Sequence, residues 1–204
     1  VTFGNNTFVA VGQSGKIVRS TDNASSWDNA TSGITDRLEG VTFGNNTFVA
    51  VSSDRKTVRS TNDGSTWSYT NTPYPYRAFY GVTFGNNTFV AVGQSGIIVR
   101  STDNASSWDN ATSNTSNLLY GVTFGNNTFV GVGDSGFIMR STDNGSSWDN
   151  ATTDNSTGNT LRGATFGNNT FVAVGDSGNI VRSTDNGASW DNATTDNSTG
   201  NTLR

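Results

Sequence analysis

Five small antiparallel sheets stacked as the blades of an all-β propeller are what this chain spells out. Three features carry the reading: a decapeptide that returns at near-constant spacing, short β-rich runs broken by turn residues, and no stretch with a helical period. The decapeptide TFGNNTFVAV begins at Thr2, Thr42, Thr83, Thr123 and Thr165, with Gly131 its one substitution. Aligned on it, the 204 residues divide into modules 1–40, 41–81, 82–121, 122–163 and 164–204, expected to be five blades of a single domain.

Within a module the elements follow in order, here named strands a to d. In the second module strand a is Val41–Phe43, strand b Thr47–Val51, strand c Thr57–Ser60 and strand d Thr66–Thr70. Val, Ile, Thr and Phe fill these runs, and Gly, Asn and Asp fill the gaps. The a–b gap, Gly-Asn-Asn, suits a hairpin turn that needs positive φ. Strand b is apolar on both parities after its first threonine, which predicts burial on both faces. A four-stranded sheet of about 40 residues cannot bury two faces alone, so sister modules must stack on it. A β-helix would need shorter coils and a trefoil three units.

The c–d gap carries the most specific motif. Ser20-Thr-Asp-Asn-Ala-Ser-Ser-Trp27 returns at Ser60–Trp67, Ser101–Trp108, Ser141–Trp148 and Ser183–Trp190. It resembles the Asp-box, S-x-D-x-G-x-x-W, of sialidase-type and photosystem-assembly-factor-type propellers, and with the upstream Val-Gly-x-Ser-Gly turn the resemblance covers essentially the whole chain. Asn62 departs from it in place of the aspartate, and Ala24 and Ala105 in place of the glycine. A short carboxylate at Asp22, Asp103, Asp143 and Asp185 can accept amides of the turn. Trp27, Trp67, Trp108, Trp148 and Trp190 are expected to fold over the hairpin as apolar plugs. The resemblance implies a structural box away from any active site. The Trp-Asp pairs, such as Trp27-Asp28, are only superficially like WD repeats, because no Gly-His partner precedes them.

Composition narrows the function. There is no cysteine and no histidine, which removes thiolate chemistry and the commonest soft metal ligands, so no cofactor or metal is expected. No run is long and apolar enough for a membrane span, and no targeting segment is expected in the sequence given. Sequons at Asn5, Asn23 and Asn29 are accounted for by turn and strand chemistry; read as glycosylation acceptors they point to an extracellular or cell-surface setting. A sialidase, by resemblance, needs an arginine cluster, a tyrosine nucleophile with a glutamate partner and six blades. This chain has five modules and one glutamate, Glu39. Residues copied five times also make poor unique catalytic constellations, so the expectation is no enzyme.

Arg19, Arg59, Arg100, Arg140 and Arg182 recur in strand c and are read as bridges between blades, to a carboxylate or a carbonyl. What varies lies in loops b–c and d–a, which project from one face. That face is the expected recognition surface: Lys16, Lys56, Ile97, Phe137 and Asn179 at one equivalent b–c position, and Tyr74, Tyr76 and Arg77 in the insertion Pro73–Arg77. Glu39, Tyr80, Tyr120, Arg162 and Arg204 are expected where d–a returns to the mouth of the central channel. Tyrosine and arginine offer large contact area at low entropy cost, which favours a protein or a glycan as ligand. Seven bases and seven acids on that face leave no basic patch, so nucleic acid is not expected. Two other readings stand beside it: a lectin with one weak sugar site per blade, raised by multivalency, and a recently amplified or engineered array without a selected ligand. A monomer is expected, with blade exchange as the route to a dimer.

Overall fold

The computed structural model describes residues 1–74, 76–153, 158–193 and 200–204, with Thr152 and Thr153 as backbone only. Pro75, expected to stiffen the insertion, and the centres of both TTDNSTG loops lie outside the described residues. Regular structure among the described residues is β-strand, apart from one-turn 3-10 segments in the b–c loops such as Gln13–Gly15.

Each module forms its own antiparallel sheet with strands in chain order. The first contains Thr2–Gly4, Thr7–Val11, Lys16–Ser20 and Asp28–Thr31; the second Leu38–Gly44, Thr47–Ser52, Lys56–Ser60 and Ser68–Asn71. The third is Phe79–Gly85, Thr88–Gly93, Ile98–Ser101 and Asp109–Asn110; the fourth Leu119–Gly125, Thr128–Gly133, Ile138–Ser141 and Asp149–Asn150. The fifth, Leu161–Gly167, Thr170–Gly175, Ile180–Ser183 and Ser189–Asn192, gains Thr152–Thr153 of the preceding d–a loop, parallel to Ser189–Trp190. The a–b turns are built as their asparagines suggest, Asn5 and Asn6 having φ of 46° and 56° and their equivalents the same conformation.

Two boundaries differ from expectation. Strand a of the second module starts at Leu38 rather than Val41, because a bulge between Leu38 and Gly40 carries pairing past the apparent module edge. Strand d starts at Ser68 rather than Thr66, because Trp67 belongs to the box turn and donates from Nε1 to the Gly64 carbonyl at 3.0 Å.

The chain divides into two compact units: Val1–Ala91 with Val99–Asn110, and Val92–Ile98 with Ala111–Arg204. In the first unit Val9 and Ile17 of one sheet pack against Phe48, Ala50 and Val58 of the next. In the second unit Val130, Val132 and Ile138 pack in the same way against Phe171, Ala173 and Val181. The invariant Phe-Gly of the decapeptide is part of this packing. A Cβ on Gly4 would overlap the Phe43 ring, one on Gly44 the Phe84 ring and one on Gly125 the Phe166 ring, so each glycine makes room for the next module's phenylalanine.

The strand c arginines join the seams. Arg19 Nη1 donates to the Asp63 carbonyl at 2.9 Å and to Ser65 Oγ at 2.7 Å, and Arg59 Nη1 to the Asn104 carbonyl at 2.9 Å. In the second unit Arg140 Nη1 reaches the Asn186 carbonyl at 3.4 Å. The bridging role holds for these three, and the acceptor is a main-chain carbonyl of the neighbouring box rather than a box carboxylate.

Candidate functional site

Loops b–c and d–a of a module are tied to each other. In the first module Gly15 N donates to the Asp36 carbonyl at 2.8 Å and Leu38 N to the Gly12 carbonyl at 2.9 Å. Ser14 and Gly15 both take left-handed φ, 54° and 66°. A Cβ on Gly15 would overlap the Ile34 carbonyl, and one on Gly96 would overlap that of Thr115. The Ser-Gly pair is therefore demanded twice, by backbone conformation and by the loop lying against it.

The second module breaks this rule. Its loop reads Ser52-Ser-Asp-Arg-Lys56, which puts Arg55 where the other four modules have glycine. Arg55 nevertheless keeps the left-handed backbone, with φ 40°. The d–a insertion accommodates it: Arg55 N donates to the Arg77 carbonyl at 2.7 Å and Thr72 N to the Arg55 carbonyl at 2.9 Å. The Arg55 guanidinium carbon lies 5.6 Å from the centre of the Tyr76 ring, and Arg55 Nε is buried without a hydrogen-bond partner. Tyr76 is itself left-handed, with φ 53°, and 82 % exposed. Such conformations cost a bulky residue about 1–2 kcal/mol each. Two of them meet at one cation–π contact.

Around this pair Lys56 Nζ binds Asp36 Oδ2 at 2.5 Å, with Asp54 at 3.9 Å, and Arg37 pairs with Glu39 at 3.1 Å. Arg77 is exposed, and Tyr74 and Tyr80 are half-buried. In the same unit Lys16 is exposed on its own loop. Glu39 sits between Leu38 and Gly40, at the bulge of strand a rather than in the d–a loop.

In the second unit Tyr120 and Arg162 occupy the equivalent bulges, Leu119/Gly121 and Leu161/Gly163. The Arg162 guanidinium stands 4.6 Å over the Tyr120 ring and grips Asp176 with two bonds, Nε to Oδ1 at 3.0 Å and Nη2 to Oδ2 at 2.8 Å. Arg162 thereby holds the Asp176 carboxyl below the usual range, helped by Thr202. Phe137 and Asn179 are half-buried. Ile97 is only 5 % exposed, so this candidate is corrected: it is withdrawn from the surface, as its apolar side chain prefers.

Arg55 was not among the candidates from sequence, and its signal was the break in the Ser-Gly pair. The bulges had none, because an extra residue in a strand leaves no mark in an apolar-polar pattern.

The box residues are engaged in their own turns. Asp22 accepts Ser26 N at 3.0 Å, Ser26 Oγ at 2.6 Å and Ser20 Oγ at 2.7 Å, and Asp185 accepts Ser189 N at 2.9 Å and Ser183 Oγ at 2.8 Å. The Ser26 hydroxyl, then its amide, lower Asp22 to about 2, and Ser189 does the same for Asp185. At Asp143 burial pushes upward, but the Ser147 hydroxyl and amide outweigh it and the value is again about 2. Burial likewise opposes the lowering at Asp103, where the Ser107 amide and hydroxyl prevail. Asn62 keeps the geometry uncharged, accepting Thr66 N at 3.0 Å. Ala24 and Ala105 take φ of 65° and 59°, where Gly145 and Gly187 stand in later boxes. Trp148 and Trp190 donate to the Gly145 and Gly187 carbonyls and are buried, as is Trp108, whereas Trp27 is 40 % exposed.

Among the described residues no group of three or more acids gathers where a metal ion could be held, and no helix is long and apolar enough to cross a membrane.

The family model for Photosynthesis system II assembly factor YCF48 matches residues 85–204. No curated protein sequence matches the chain. Among solved structures, YCF48 bound to D1 peptide is similar with a TM-score of 0.71 and 18 % identity, over 93 % of this chain and 64 % of its own. YCF48 from Cyanidioschyzon merolae gives 0.69 and 16 %, over 95 % and 70 %. An ancestral GH74 enzyme gives 0.75 and 18 %, over 96 % and 30 %. This chain thus spans less than two thirds of the first of these structures. Together with the five sheets these likenesses show the fold, an all-β propeller, which an assembly factor and an enzyme share. With more than half of its length matched by the family model, the chain belongs to the Photosynthesis system II assembly factor YCF48 family.

Proposed function

We propose that this chain is a non-enzymatic scaffold that recognises an extended segment of another protein, and that the b–c and d–a loops of the second module form the centre of the contact. One observation carries the reading. Arg55 and Tyr76 both hold unfavourable left-handed backbones and stack at the surface, in the module whose b–c loop lacks the Ser-Gly pair of the other four. Strain held by two bulky residues at a single surface contact is what a site under functional constraint would keep. Arg37, Lys56 and Arg77 add donors for main-chain carbonyls or carboxylates, and Tyr74, Tyr76 and Tyr80 add flat apolar area. That a related propeller is solved with D1 peptide bound supports the class of partner.

The chemistry of the acids supports binding over catalysis. Asp22, Asp143 and Asp185 are saturated by their own turns and held at about 2, far below the range in which a general acid works at neutral pH. The test is titration of the purified chain against a peptide array that includes D1 peptide. Tyr76→Ala and Arg55→Gly should each weaken the best binder by about tenfold, the loss typical of one central side chain, with an unchanged melting temperature for Tyr76→Ala. Binding indifferent to both changes would defeat the assignment. Saturation by about five sugars per chain would favour the lectin instead.

A further inference from the structure

The second module departs from the repeat on its box side as well. Asn62 stands where the other boxes have Asp22, Asp103, Asp143 and Asp185, and Ser68 follows the box tryptophan where the others have Asp28, Asp109, Asp149 and Asp191. Ser68 pairs with Arg59 across strands c and d, in the register that sets those four aspartates opposite the equivalent arginines. Both acids are therefore gone from one hairpin. The aspartate that remains, Asp63, turns toward the first module, where its Oδ1 accepts Asn5 Nδ2 at 3.1 Å, whereas Arg59 reaches toward the third.

The first exchange reverses a hydrogen bond. In the first box Ser26 Oγ donates to Asp22 Oδ2 at 2.6 Å, and Ser107, Ser147 and Ser189 direct their hydroxyl protons in the same way, because an ionised carboxylate can only accept. In the second box Asn62 Oδ1 accepts Ser60 Oγ at 2.9 Å and Thr66 N at 3.0 Å. Its Nδ2 is then the atom that meets Thr66 Oγ1, at 2.9 Å, and it donates. Thr66 becomes the acceptor and keeps its own O–H proton to give elsewhere.

Beside that hydroxyl lies a hollow of about 130 Å³, lined by Arg59, Thr61, Thr66, Trp67 and Ser68. A single water needs about 10–15 Å³ on the same measure, so a group of several heavy atoms fits. Arg59 Nη1 is held by the Asn104 carbonyl at 2.9 Å, which anchors the guanidinium and leaves it further N–H donors. Trp67 Nε1 already donates to the Gly64 carbonyl, so its ring serves as wall. The lining joins one cation to the hydroxyls of Thr61, Thr66 and Ser68 and holds no carboxylate. We propose that this hollow binds a tetrahedral oxyanion, inorganic phosphate or sulfate. Arg59 supplies the charge-assisted bonds, and the hydroxyls of Thr61, Thr66 and Ser68 take the remaining oxygens. The same place in the other modules carries two acids, which repel an anion. Arg55 and Tyr76 lie in the loops at the opposite ends of these strands, so neither site depends on the other.

The test follows the amide NMR signals of the full chain as sodium phosphate, sulfate, acetate or chloride is added at constant ionic strength. Phosphate or sulfate should shift Thr61, Thr66 and Ser68 along a saturating curve, the tighter of the two identifying the preferred ion, while acetate and chloride leave them in place. Two variants each restore the residue that the other four modules carry, so the fold is kept. Ser68→Asp should weaken binding by at least about tenfold, through the acid returned opposite Arg59. Asn62→Asp, which recaptures the Thr66 proton, should weaken it by about tenfold, the loss of one hydrogen bond to a charged group. Equal shifts with all four salts, shifts that never saturate, or saturation unchanged in both variants overturns the proposal.

Discussion

The b–c loop of the first module and that of the second perform the same turn with different chemistry. At Gly15 the chain uses the residue that left-handed φ favours, and the d–a loop closes directly onto it. At Arg55 it forces a long cation into that conformation, and a longer d–a loop opens to receive it and stacks Tyr76 on it. The scaffold therefore tolerates a recognition residue at this turn only when the neighbouring loop is rebuilt as well. Local sequence and distant loop are one unit of change.

The sharpest way to break the comparison is Gly15→Arg, which imports the second module's residue without its insertion. The clash with the Ile34 carbonyl adds to the backbone cost, and urea denaturation should show a loss on the order of 3 kcal/mol. The reverse change, Arg55→Gly, should raise stability by about 1 kcal/mol while peptide binding falls. A gain in stability without a loss of binding would separate the strain from the function. Ala24→Gly, at φ 65° and on an exposed turn, should stabilise by roughly 0.5–1 kcal/mol without touching binding, a control for strain that serves no ligand.

Acid separates the modules on the box side. Asp22, Asp143 and Asp185 have folded values of about 2 against 3.8. A lowered carboxyl contributes stability above its unfolded value and loses it as pH falls through the folded one. Stability should therefore decline between about pH 4 and pH 2, and the Asn62 box adds nothing to that slope. Asn62→Asp should steepen the decline in a pH series of thermal melts while changing little at neutral pH. This is the smallest effect, since these carboxylates are exposed and solvent screens them.

Much of this was legible before any coordinates. The Asn5-Asn6 turn, the doubly buried strand b of the middle modules and the box hydrogen bonds are short-range consequences of residue type, so period and turn chemistry reveal them. The Gly4–Phe43 lock was not legible, although both residues lie in the most obvious motif, because the contact joins positions about forty residues apart. The same holds for Arg19, whose bridging role was expected but whose partner proved to be a main-chain carbonyl that carries no side-chain label.

The candidate surface divides along the same line. Exposure of Lys16, Tyr76 and Arg77 follows from loop position and polarity, whereas Ile97 turned inward and Arg162, at a strand bulge, met Tyr120 at the bulge of the neighbouring module and Asp176 in its own b–c loop. What the amino-acid order determined by itself is the module: four strands, two kinds of turn and an apolar strand b, all set by interactions within a few residues. What the tertiary structure alone decided is how neighbouring modules within a unit meet and which arginine is strained. These depend on distances between residues far apart in the chain, and no local pattern encodes a distance.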